Sequence, residues 1–354
     1  MSARFLTVVL ERAFNMRDGF GREIDYMRIS VIDSCNLNCY YCNPCDNNEH
    51  CHALNILSVK EVLCIVRAAT RLGIKHFRLT GGEPLLHPQL DEMVLQIKKI
   101  PGVSSVSLTT NAVLLAQHAK WLKEAGIDSI NVSLDTIDAS EYERITKKPL
   151  LEEVKHGINA AIECGIRVKI NVVLTPQTDV VALTRYASKK GTDIRFIEMM
   201  PVGEGHTNGV EPYKKVIGTL SKLYGEPCRI NTEKTKEINS GNDKRKIPDN
   251  GPAEYYIFPE LGIRVGLIQA IHGKFCDSCN RIRVTADGRL MPCLGSSVTM
   301  DLVPDSWDFA DDVEKDFAIV RALRAAIKAK PRCHNFNDNA VTYTKTTETK
   351  TTEI

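Results

Sequence analysis

The sequence lacks an excess of charge of either sign. Lys and Arg total 46 and Asp and Glu total 44, so the formal net charge is only +2. Nonspecific attraction to nucleic acid or to an acidic membrane surface requires a clear basic excess. We therefore expect neither partner, and any site for an anionic ligand has to be built locally from a few basic residues.

Long apolar runs are also missing. No run reaches the roughly 18 to 20 residues that cross a bilayer, and the N-terminal "MSARFLTVVLERAF" has no small-residue cleavage site after its short apolar stretch. We expect a cytoplasmic protein without a membrane partner. Because thiols stay reduced in that compartment, the twelve cysteines are expected to be ligands or catalytic groups rather than disulfide partners.

The first two-thirds of the chain repeats a strand, a turn and a helix. Strand-like runs span 26–31, 75–81, 103–111, 127–135, 166–175 and 192–200. Between the first two runs, Ser58 and Glu61 form a predicted capping box at the start of a helix over 58–72, which Gly73 ends. Strands that alternate with helices in this way predict an α/β fold with a parallel sheet.

These strands alternate polar and apolar residues, which is unusual for parallel strands covered by helices on both faces. The polar positions are Arg28 and Ser30; His76, Arg78 and Thr80; Ser107, Thr109 and Asn111; Asn131, Ser133 and Asp135; and Lys169 and Asn171. A closed eight-stranded barrel has an apolar interior, so the pattern favours an incomplete six-stranded (βα)6 TIM-type barrel whose interior holds a ligand. The alternative is an antiparallel-like sheet with one face in solvent.

The stretch "CNLNCYYCNPC" places four cysteines in residues 35–45. Three thiolates at the spacing C-x3-C-x2-C leave one iron of a four-iron cluster without a protein ligand. A zinc site is the competing interpretation, although zinc sites usually combine two pairs of ligands. The glycine turn "TGGEP" (80–84) follows the second predicted strand.

The cysteine loop, the glycine turn and the six strand–helix units together resemble the radical S-adenosylmethionine superfamily. The resemblance implies that Cys35, Cys39 and Cys42 hold a catalytic 4Fe-4S cluster whose free iron binds S-adenosylmethionine. Cys45 is then an extra cysteine without a ligand role. Cys51 is interpreted in the same way, with a second metal bound by His50, Cys51 and His52 as the alternative. Cys64, Cys164 and Cys228 are expected to be ordinary buried residues.

A second cysteine group lies in "FCDSCNRIRVTADGRLMPCL" (275–294). Cys276, Cys279 and Cys293 have the spacing C-x2-C-x13-C, and a predicted hairpin turn at "ADG" brings the third cysteine back to the first two. Again three thiolates leave a four-iron cluster one ligand short. The alternative is a structural zinc ion with His272 or Cys333 as the fourth ligand.

With this second group the sequence closely resembles the GTP 3',8-cyclase family, which acts in molybdenum cofactor biosynthesis. The resemblance runs from about Gly21 to His334 and includes "MRISVID", "TGGEPLL", "TTNA", "VSLDT", "VKINVV", "IRFIEMMPVG" and "CDSCNRIRVTADG". It implies a second 4Fe-4S cluster that contacts the purine of GTP. The residues assigned to S-adenosylmethionine are Tyr41, Gly82, Thr109, Ser133 and Met200.

Six basic residues are assigned to the substrate. They are Arg28, Arg78, Lys169, Arg195, Arg281 and Arg283. Arg28, Arg78 and Lys169 lie at the polar positions of the strands, and a planar guanidinium suits phosphate oxygens. Each one alone could be a surface ion-pair partner, but their shared face favours a binding site for a nucleoside triphosphate.

The resemblance implies a lyase that cleaves S-adenosylmethionine to a 5'-deoxyadenosyl radical, removes a hydrogen from C3' of GTP and joins C3' to C8. The product is 3',8-cyclo-7,8-dihydro-GTP, on the path to molybdopterin. An electron donor and the next enzyme of that path are the implied partners. The oligomeric state stays open, a homodimer included.

The sequence departs from the family at Ser34, where an arginine is common, at His76, where a lysine is expected, and at its C-terminus, which lacks a Gly-Gly tail. The alternatives are a related radical enzyme acting on another nucleotide or a peptide, or a zinc-binding module. The predicted regions are an extension over 1–20, the partial barrel over 21–230, a C-terminal α+β region with the second cluster over 231–335, and a disordered polar tail over 336–354.

Overall fold

The computed structural model describes residues 16–42, 55–202, 205, 209–230, 251–296, 298–302 and 312–336. The predictions for Cys45, His50, Cys51 and His52, most of the predicted extension and all but the first residue of the predicted tail lie outside these residues.

The described residues form twelve strands and eight α-helices. The strands are β1 Tyr26–Ser30, β2 His76–Thr80, β3 Ser105–Thr110, β4 Ser129–Ser133, β5 Val168–Val173, β6 Asp193–Ile197, β7 Cys228–Ile230, β8 Glu254–Ile257, β9 Arg264–Ile268, β10 Arg281–Val284, β11 Arg289–Met291 and β12 Met300–Asp301. The helices are α1 Val59–Arg71, α2 Leu90–Lys98, α3 Leu115–Glu124, α4 Ala139–Thr146, α5 Leu151–Glu163, α6 Val180–Lys189, α7 Gly218–Tyr224 and α8 Asp312–Lys328.

All the strands belong to one sheet with the order β12-β11-β10-β1-β2-β3-β4-β5-β6-β9-β8-β7. The six predicted strands are confirmed as the consecutive parallel strands β1 to β6. The C-terminal strands extend this sheet at both edges, because β10 pairs parallel to β1 and β9 pairs parallel to β6. Within the described residues the sheet stays open, as expected of an incomplete barrel.

The helices pack against the apolar face of the sheet. In α1 the predicted capping box is present, with the Ser58 side chain accepting from the Glu61 backbone and the Glu61 carboxylate accepting from the Ser58 backbone. Gly73 follows the helix with φ 85°, a conformation that favours glycine. The C-terminal helix α8 packs on α1, and Arg71 and Asp316 form an ion pair of 2.8 Å between them. The two halves of the chain therefore share one core.

The register of the parallel strands confirms a single polar face. Neighbours in register are Arg28 with Arg78, Arg78 with Ser107, Thr109 with Asn131, Asn131 with Lys169, and Asn171 with Arg195. The residues that alternate with these along the strands, such as Met27, Phe77 and Val132, point to the other face and are fully buried under the helices. The alternative of a face left in solvent does not fit Asn131, Lys169 and Arg195, which are buried as well.

The ten cysteines that the structure describes are all unpaired. Cys64 is buried as predicted, but the prediction for Cys228 is wrong, because this thiol is exposed on β7. β7 lies at one edge of the sheet, and none of the other described strands covers it on that side. In the part of the chain described here, none of the helices is long and apolar enough to cross a membrane.

Candidate active site

The first cysteine group lies on the loop that leaves the carboxyl end of β1. Two backbone hydrogen bonds hold this loop to the end of α4, from Asn38 N to Thr146 O at 3.0 Å and from Tyr40 N to Ile145 O at 3.1 Å. Cys35 and Cys42 are exposed and Cys39 is partly buried. The loop is therefore fixed to α4 through its backbone.

Tyr41 connects the cysteine loop to the middle of the sheet. Its hydroxyl donates a hydrogen bond of 2.5 Å to Asp135 just after β4, and the other Asp135 oxygen accepts from the Val173 backbone at 2.7 Å. Burial raises the pKa of Asp135 to about 6. It also raises the pKa of the Tyr41 hydroxyl, and the negative charge of Asp135 adds to that rise. Asp135 was predicted only as a polar position, and its anchoring role was missed.

The glycine turn after β2 packs against the backbone that leads into the cysteine loop. A Cβ atom at Gly81 would lie 2.2 Å from Ile32 O, and one at Gly82 would lie 2.2 Å from Ser34 O. The backbone hydrogen bond from Gly82 N to Ile32 O is 2.8 Å. Both positions therefore require glycine to hold the segment before Cys35, in addition to any contact that Gly82 makes with a cofactor.

Glu83 completes this turn and was missed by the sequence analysis. Its carboxylate is buried and accepts hydrogen bonds from Leu85 N at 3.0 Å, Thr110 Oγ1 at 2.7 Å and Asn111 N at 2.7 Å. Burial raises its pKa, and these hydrogen bonds partly offset the rise. Glu83 thus joins the ends of β2 and β3 beneath the cysteine loop, and Asn111 Nδ2 lies 3.8 Å from Cys35 Sγ.

The second cysteine group lies before β10 and just after β11. The predicted hairpin is confirmed, because β10 and β11 pair antiparallel and Gly288 in the turn has φ 76°. Burial alone would raise the pKa of the Cys279 thiol, but the positive charges of Arg281 and Lys330 lower it overall. The two positive charges therefore favour the thiolate form of Cys279.

The two cysteine groups lie at opposite ends of one pair of strands. β1 and β10 are parallel, with Tyr26 in register with Arg281. Cys279 precedes β10, whereas Cys35 follows β1. The four steps from Tyr26 to Ser30 alone span about 13 Å at about 3.3 Å per residue. A ligand that reaches both groups therefore has to run along the polar face of these strands.

Four of the predicted substrate residues lie on this face and are called the arginine row: Arg28, Arg78, Arg281 and Arg283. Arg28 is in register with Arg283 of β10 on one side and with Arg78 of β2 on the other. The Arg281 guanidinium lies 5.1 Å from the centroid of the Phe275 ring, next to Cys276. The row therefore begins beside the second cysteine group and crosses three strands.

The arginine row concentrates positive charge on a half-buried part of this face. Burial lowers the pKa of Arg28 well below its usual value, and the charge of Arg283 lowers it further. Arg28 Nε is buried without a hydrogen-bond partner among the described residues. Buried like charges repel one another unless an anion lies between them. The row therefore fits a multiply charged anion such as a chain of phosphate groups, whose oxygens match the guanidinium fork.

Tyr26 lies next to the arginine row, and it was also missed as a site residue. Its ring centroid is 5.7 Å from the Arg78 guanidinium. Burial raises the pKa of its hydroxyl, but the charges of Arg78 and Arg28 and a hydrogen bond with Ser107 lower it overall. Tyr26 lies two residues before Arg28 on β1, so both side chains point to the same face of the sheet. This alternation is the signal that could have identified Tyr26.

Lys169 and Arg195 lie further along the same face. Arg195 is held by two amide oxygens, Asn171 Oδ1 at 2.9 Å and Asn131 Oδ1 at 2.5 Å. Asn131 Nδ2 is buried without a partner among the described residues, which leaves one hydrogen-bond donor available to a ligand. Gly266, in register with Arg195, provides space for its side chain, because a Cβ there would lie 2.8 Å from Arg195 Cγ.

The residues predicted to contact S-adenosylmethionine are placed on the side of the first cysteine group. Thr109 and Ser133 lie near the carboxyl ends of β3 and β4. Met200 follows β6, and the chain there returns to the cysteine loop at Gly205. A Cβ at Gly205 would lie 2.7 Å from Met200 O and 3.5 Å from Tyr41 O. Their roles stay predictions, but the fold brings them to the same end of the sheet.

Each cysteine group offers three thiols, a donor set that suits an iron–sulfur cluster with one iron left for another ligand. Among the residues with a described placement, no three His, Cys, Asp or Glu side chains converge closely enough to hold one ion. A zinc ion needs thiolates within about 2.3 Å of one point, whereas a cluster distributes them around several irons. Burial raises the pKa of Cys35, Cys39 and Cys42, that of Cys39 to about 12. A metal has to deprotonate such thiols when it binds.

Two family models match the chain in succession. The model described as the radical SAM superfamily matches residues 29–184. The model described as molybdenum cofactor synthesis C matches residues 192–336. The first range contains the cysteine loop and the glycine turn, and the second contains the second cysteine group.

The chain is also similar to curated proteins named GTP 3',8-cyclase. It is 36% identical to the one from Clostridium perfringens (strain SM101 / Type A) over 324 residues, which cover 91% of this chain and 95% of that protein. It is 37% identical to the one from Peptoclostridium acidaminophilum over 328 residues, covering 91% and 94%. The relative from Listeria monocytogenes serovar 1/2a is 36% identical over 323 residues, covering 90% and 92%.

Solved structures share the fold at much lower sequence identity. Streptococcus suis SuiB, bound to the precursor peptide SuiA, has a TM-score of 0.55 at 14% identity and covers 91% of this chain and 69% of its own. The structure described as native anSMEcpe with bound AdoMet and Cp18Cys peptide has a TM-score of 0.53 at 18% identity, covering 86% and 83%. These two structures support the architecture alone.

The family and the site agree on the cofactors at the first cysteine group. Members of the radical S-adenosylmethionine superfamily use an iron–sulfur cluster together with S-adenosylmethionine, and Cys35, Cys39 and Cys42 fit the cluster. With two consecutive family models and relatives above 30% identity over nine-tenths of its length, the chain belongs to the GTP 3',8-cyclase family of the radical S-adenosylmethionine superfamily.

Proposed function

We propose that this chain converts GTP to 3',8-cyclo-7,8-dihydro-GTP, the first step of molybdenum cofactor biosynthesis. The name shared by its relatives and the C-terminal family match support this reaction. The observation that carries the proposal is the arginine row, which lies on the polar face between the two cysteine groups. A nucleoside triphosphate bound there has its phosphates on the arginines and its base directed toward the second group.

Two 4Fe-4S clusters are part of the proposal. Cys35, Cys39 and Cys42 hold the first, and Cys276, Cys279 and Cys293 hold the second. Three thiolates at each group leave one iron available to a small ligand. When bound, the first cluster and S-adenosylmethionine supply a 5'-deoxyadenosyl radical. Cys276, Cys279 and Cys293 would hold the second cluster beside the arginine row, where its open iron would supply a contact for the purine.

The side chains of this chain act mainly by positioning. Arg28, Arg281 and Arg283 hold the triphosphate, and Arg78, braced by a 3.1 Å hydrogen bond from its Nε to Ser107, extends the same surface. Orienting a ribose carbon within reach of a radical supplies most of the advantage in such a reaction. Asn131, Lys169 and Arg195 are buried on this face, and a site from which water is excluded limits side reactions of the radical.

Lys169, Arg195 and Asn131 form the remaining part of the proposed substrate site. The two amides that hold Arg195 leave its guanidinium fixed without neutralising its charge. Because the side chains are already ordered before a ligand binds, less conformational entropy is lost on binding. Tyr41, Gly82, Thr109, Ser133 and Met200 are the proposed contacts of S-adenosylmethionine at the other end.

The reaction is tested by comparing GTP with ATP in anaerobically reconstituted protein. GTP should bind at least tenfold more tightly, because a site that hydrogen-bonds one purine leaves buried groups unpaired with the other. Product analysis should find 5'-deoxyadenosine and the cyclised nucleotide in equal amounts. Equal affinity for both nucleotides, or binding of neither, contradicts the proposal and favours a related enzyme with another nucleotide or a peptide as substrate.

Several parts of the proposal rest on the sequence alone. They are the electron donor, transfer of the product to the next enzyme of the pathway and the cytoplasmic location. The oligomeric state stays open, a homodimer included.

His76, which stands where the family has a lysine, is held by Ser105 through a contact of 2.8 Å from its Nδ1. Burial lowers the pKa of His76, so this position contributes a neutral ring in place of a positive charge.

A further inference from the structure

Asn111 directly follows β3 and contacts the first cysteine group through its side-chain amide. Its Nδ2 lies 3.8 Å from Cys35 Sγ and donates to Asn36 Oδ1 at 2.7 Å. An amide nitrogen carries two hydrogens, so one can be donated to Asn36 and the other to the sulfur. The backbone N–H of Leu37 also donates to Cys35 Sγ, at 3.5 Å. The sulfur therefore has two N–H donors, and one of them comes from a different element of the fold.

Three further hydrogen bonds fix the position of Asn111. Its backbone N–H donates to Glu83 Oε2 at 2.7 Å, and Glu83 Oε1 accepts from Thr110 Oγ1 at 2.7 Å. The side-chain Oδ1 of Asn111 accepts from Val113 N at 3.0 Å. Because Val113 N is a donor, the amide oxygen must point to it, and the amide nitrogen is then directed to the cysteine loop. The N–H donor is thus oriented by the protein alone.

The backbone just after Asn111 is strained. Ala112 has φ 66°, a left-handed conformation that residues with a Cβ atom rarely adopt. Its N–H donates to Thr110 Oγ1 at 2.9 Å. A Cβ at Gly157 of α5 would lie 2.4 Å from Ala112 O, so the glycine provides the space for this turn. Strain of this kind persists only where the surrounding structure maintains it, and it is concentrated at functional sites.

We propose that Asn111 is a positioning residue for the first cluster and that its hydrogen bond to Cys35 Sγ raises the reduction potential of that cluster. The proposal rests on the cluster that the proposed function assigns to Cys35, Cys39 and Cys42. Reduction adds one negative charge to a cluster, and an N–H directed at a ligand sulfur stabilises the more negative state. Hydrogen bonds to the sulfurs are among the determinants of cluster potentials.

A potentiometric titration of the anaerobically reconstituted protein, followed by electron paramagnetic resonance, tests this role. The signal of the first cluster is identified by its change when S-adenosylmethionine is added. Asn111→Asp keeps an oxygen for Val113 N, but it removes the N–H donor and adds a negative charge. At a fixed potential the ratio of reduced to oxidised first cluster should fall roughly tenfold, which is about 59 mV for a one-electron couple.

The Asn111→Ala variant separates the hydrogen bond from the added charge. It removes the donor without introducing a carboxylate, and the same ratio should fall roughly threefold, as expected for the loss of one hydrogen bond. Asn55→Ala is the matched control. Asn55 Nδ2 donates to Asp33 Oδ2 at 2.6 Å, so this amide supports the segment before the cysteine loop through a carboxylate. Its removal should leave the potential unchanged.

All three variants should keep the iron content of the unaltered protein, because no cluster ligand is changed. An unchanged potential in iron-loaded Asn111→Ala overturns the proposal, even if Asn111→Asp shifts it, since the added charge alone then explains the shift. Loss of iron from both Asn111 variants also overturns it and makes Asn111 a structural residue. A lowered potential in variants of a protein that does not cyclise GTP contradicts the proposed function and leaves the role of Asn111 intact.

Discussion

The two cysteine groups are fixed by different means. The first lies within one loop, residues 35–42, which backbone hydrogen bonds to α4 and the Tyr41–Asp135 contact hold in place. The second is assembled from separate segments, and the basic side chains of Arg22 and Lys330 join them. Burial raises the pKa of every thiol in the first group, whereas nearby positive charges lower that of Cys279 in the second.

This difference matches the ligands that we assign to each group. Among the described residues, no arginine or lysine lowers the pKa of a thiol in the first group. We assign to this group a cofactor whose reactive sulfonium is positive. The second adjoins the arginine row and faces a nucleotide whose phosphates are negative. The whole chain has a net charge of only +2. The positive side chains of the arginine row are nevertheless grouped at one end of the polar face.

The largest expected effect separates the two groups by their role. Replacing Cys35, Cys39 and Cys42 with Ala should halve an iron content of about eight per chain and abolish cleavage of S-adenosylmethionine. Replacing Cys276, Cys279 and Cys293 should halve the iron as well, but cleavage should continue without cyclised product. The measurements are iron analysis and chromatography of 5'-deoxyadenosine. Loss of cleavage in both variants would show that the groups do not have separate roles.

The next prediction compares the anchors. Arg22→Ala should lower the free energy of unfolding by about 3–5 kcal/mol, because it leaves buried Asp18 without its partner. The matched control is Arg144→Ala near the first group, whose ion pair with Glu141 is exposed on the arginine side and should contribute no more than about 0.5 kcal/mol. Chemical denaturation measures both. Similar losses for the two variants would contradict the contrast between the anchors.

The arginine row predicts a loss of positioning without a loss of clusters. Arg283→Lys should weaken GTP binding by about 2 kcal/mol, roughly thirtyfold, since an ammonium lacks the bidentate fork. It should also raise the ratio of 5'-deoxyadenosine to cyclised product, because a misplaced ribose lets the radical be quenched elsewhere. Arg289→Lys, on the partner strand β11, is the control. A normal ratio and affinity in Arg283→Lys would make this arginine structural.

The smallest expected effect concerns pH and the first group. The pKa of Asp135 is raised to about 6 in the folded chain from an unfolded value near 3.9, so the folded state binds more protons between these values. Stability should therefore fall as the pH rises through this window, by about 1 kcal/mol between pH 5 and pH 7. Asp135→Asn should lack this component in denaturation of the metal-free protein. An identical pH dependence in both proteins would contradict the assignment.

The elements built from nearby residues were predicted well. The six parallel strands, the capping box of Ser58 and Glu61, and the hairpin before Cys293 each depend on a short pattern that the sequence displays directly. The polar face was also predicted, because side chains alternate along a strand whatever its neighbours are. What was missed at the site depends on neighbouring strands. Tyr26 shares a face with Arg28, but Arg78 and Ser107, which act on it, lie on β2 and β3. Glu83 joins β2 to β3 through Thr110 and Asn111.

The sequence by itself determined the spacing of the two cysteine motifs, the face of the sheet to which the basic residues of the strands point, and the family. Only the tertiary structure decided that β10 pairs with β1, which places Arg283 beside Arg28, and that Arg22 reaches Cys276, 254 residues away. The physical reason is that periodicity and turn chemistry act over a few residues. Register between distant strands depends on the packing of the whole core.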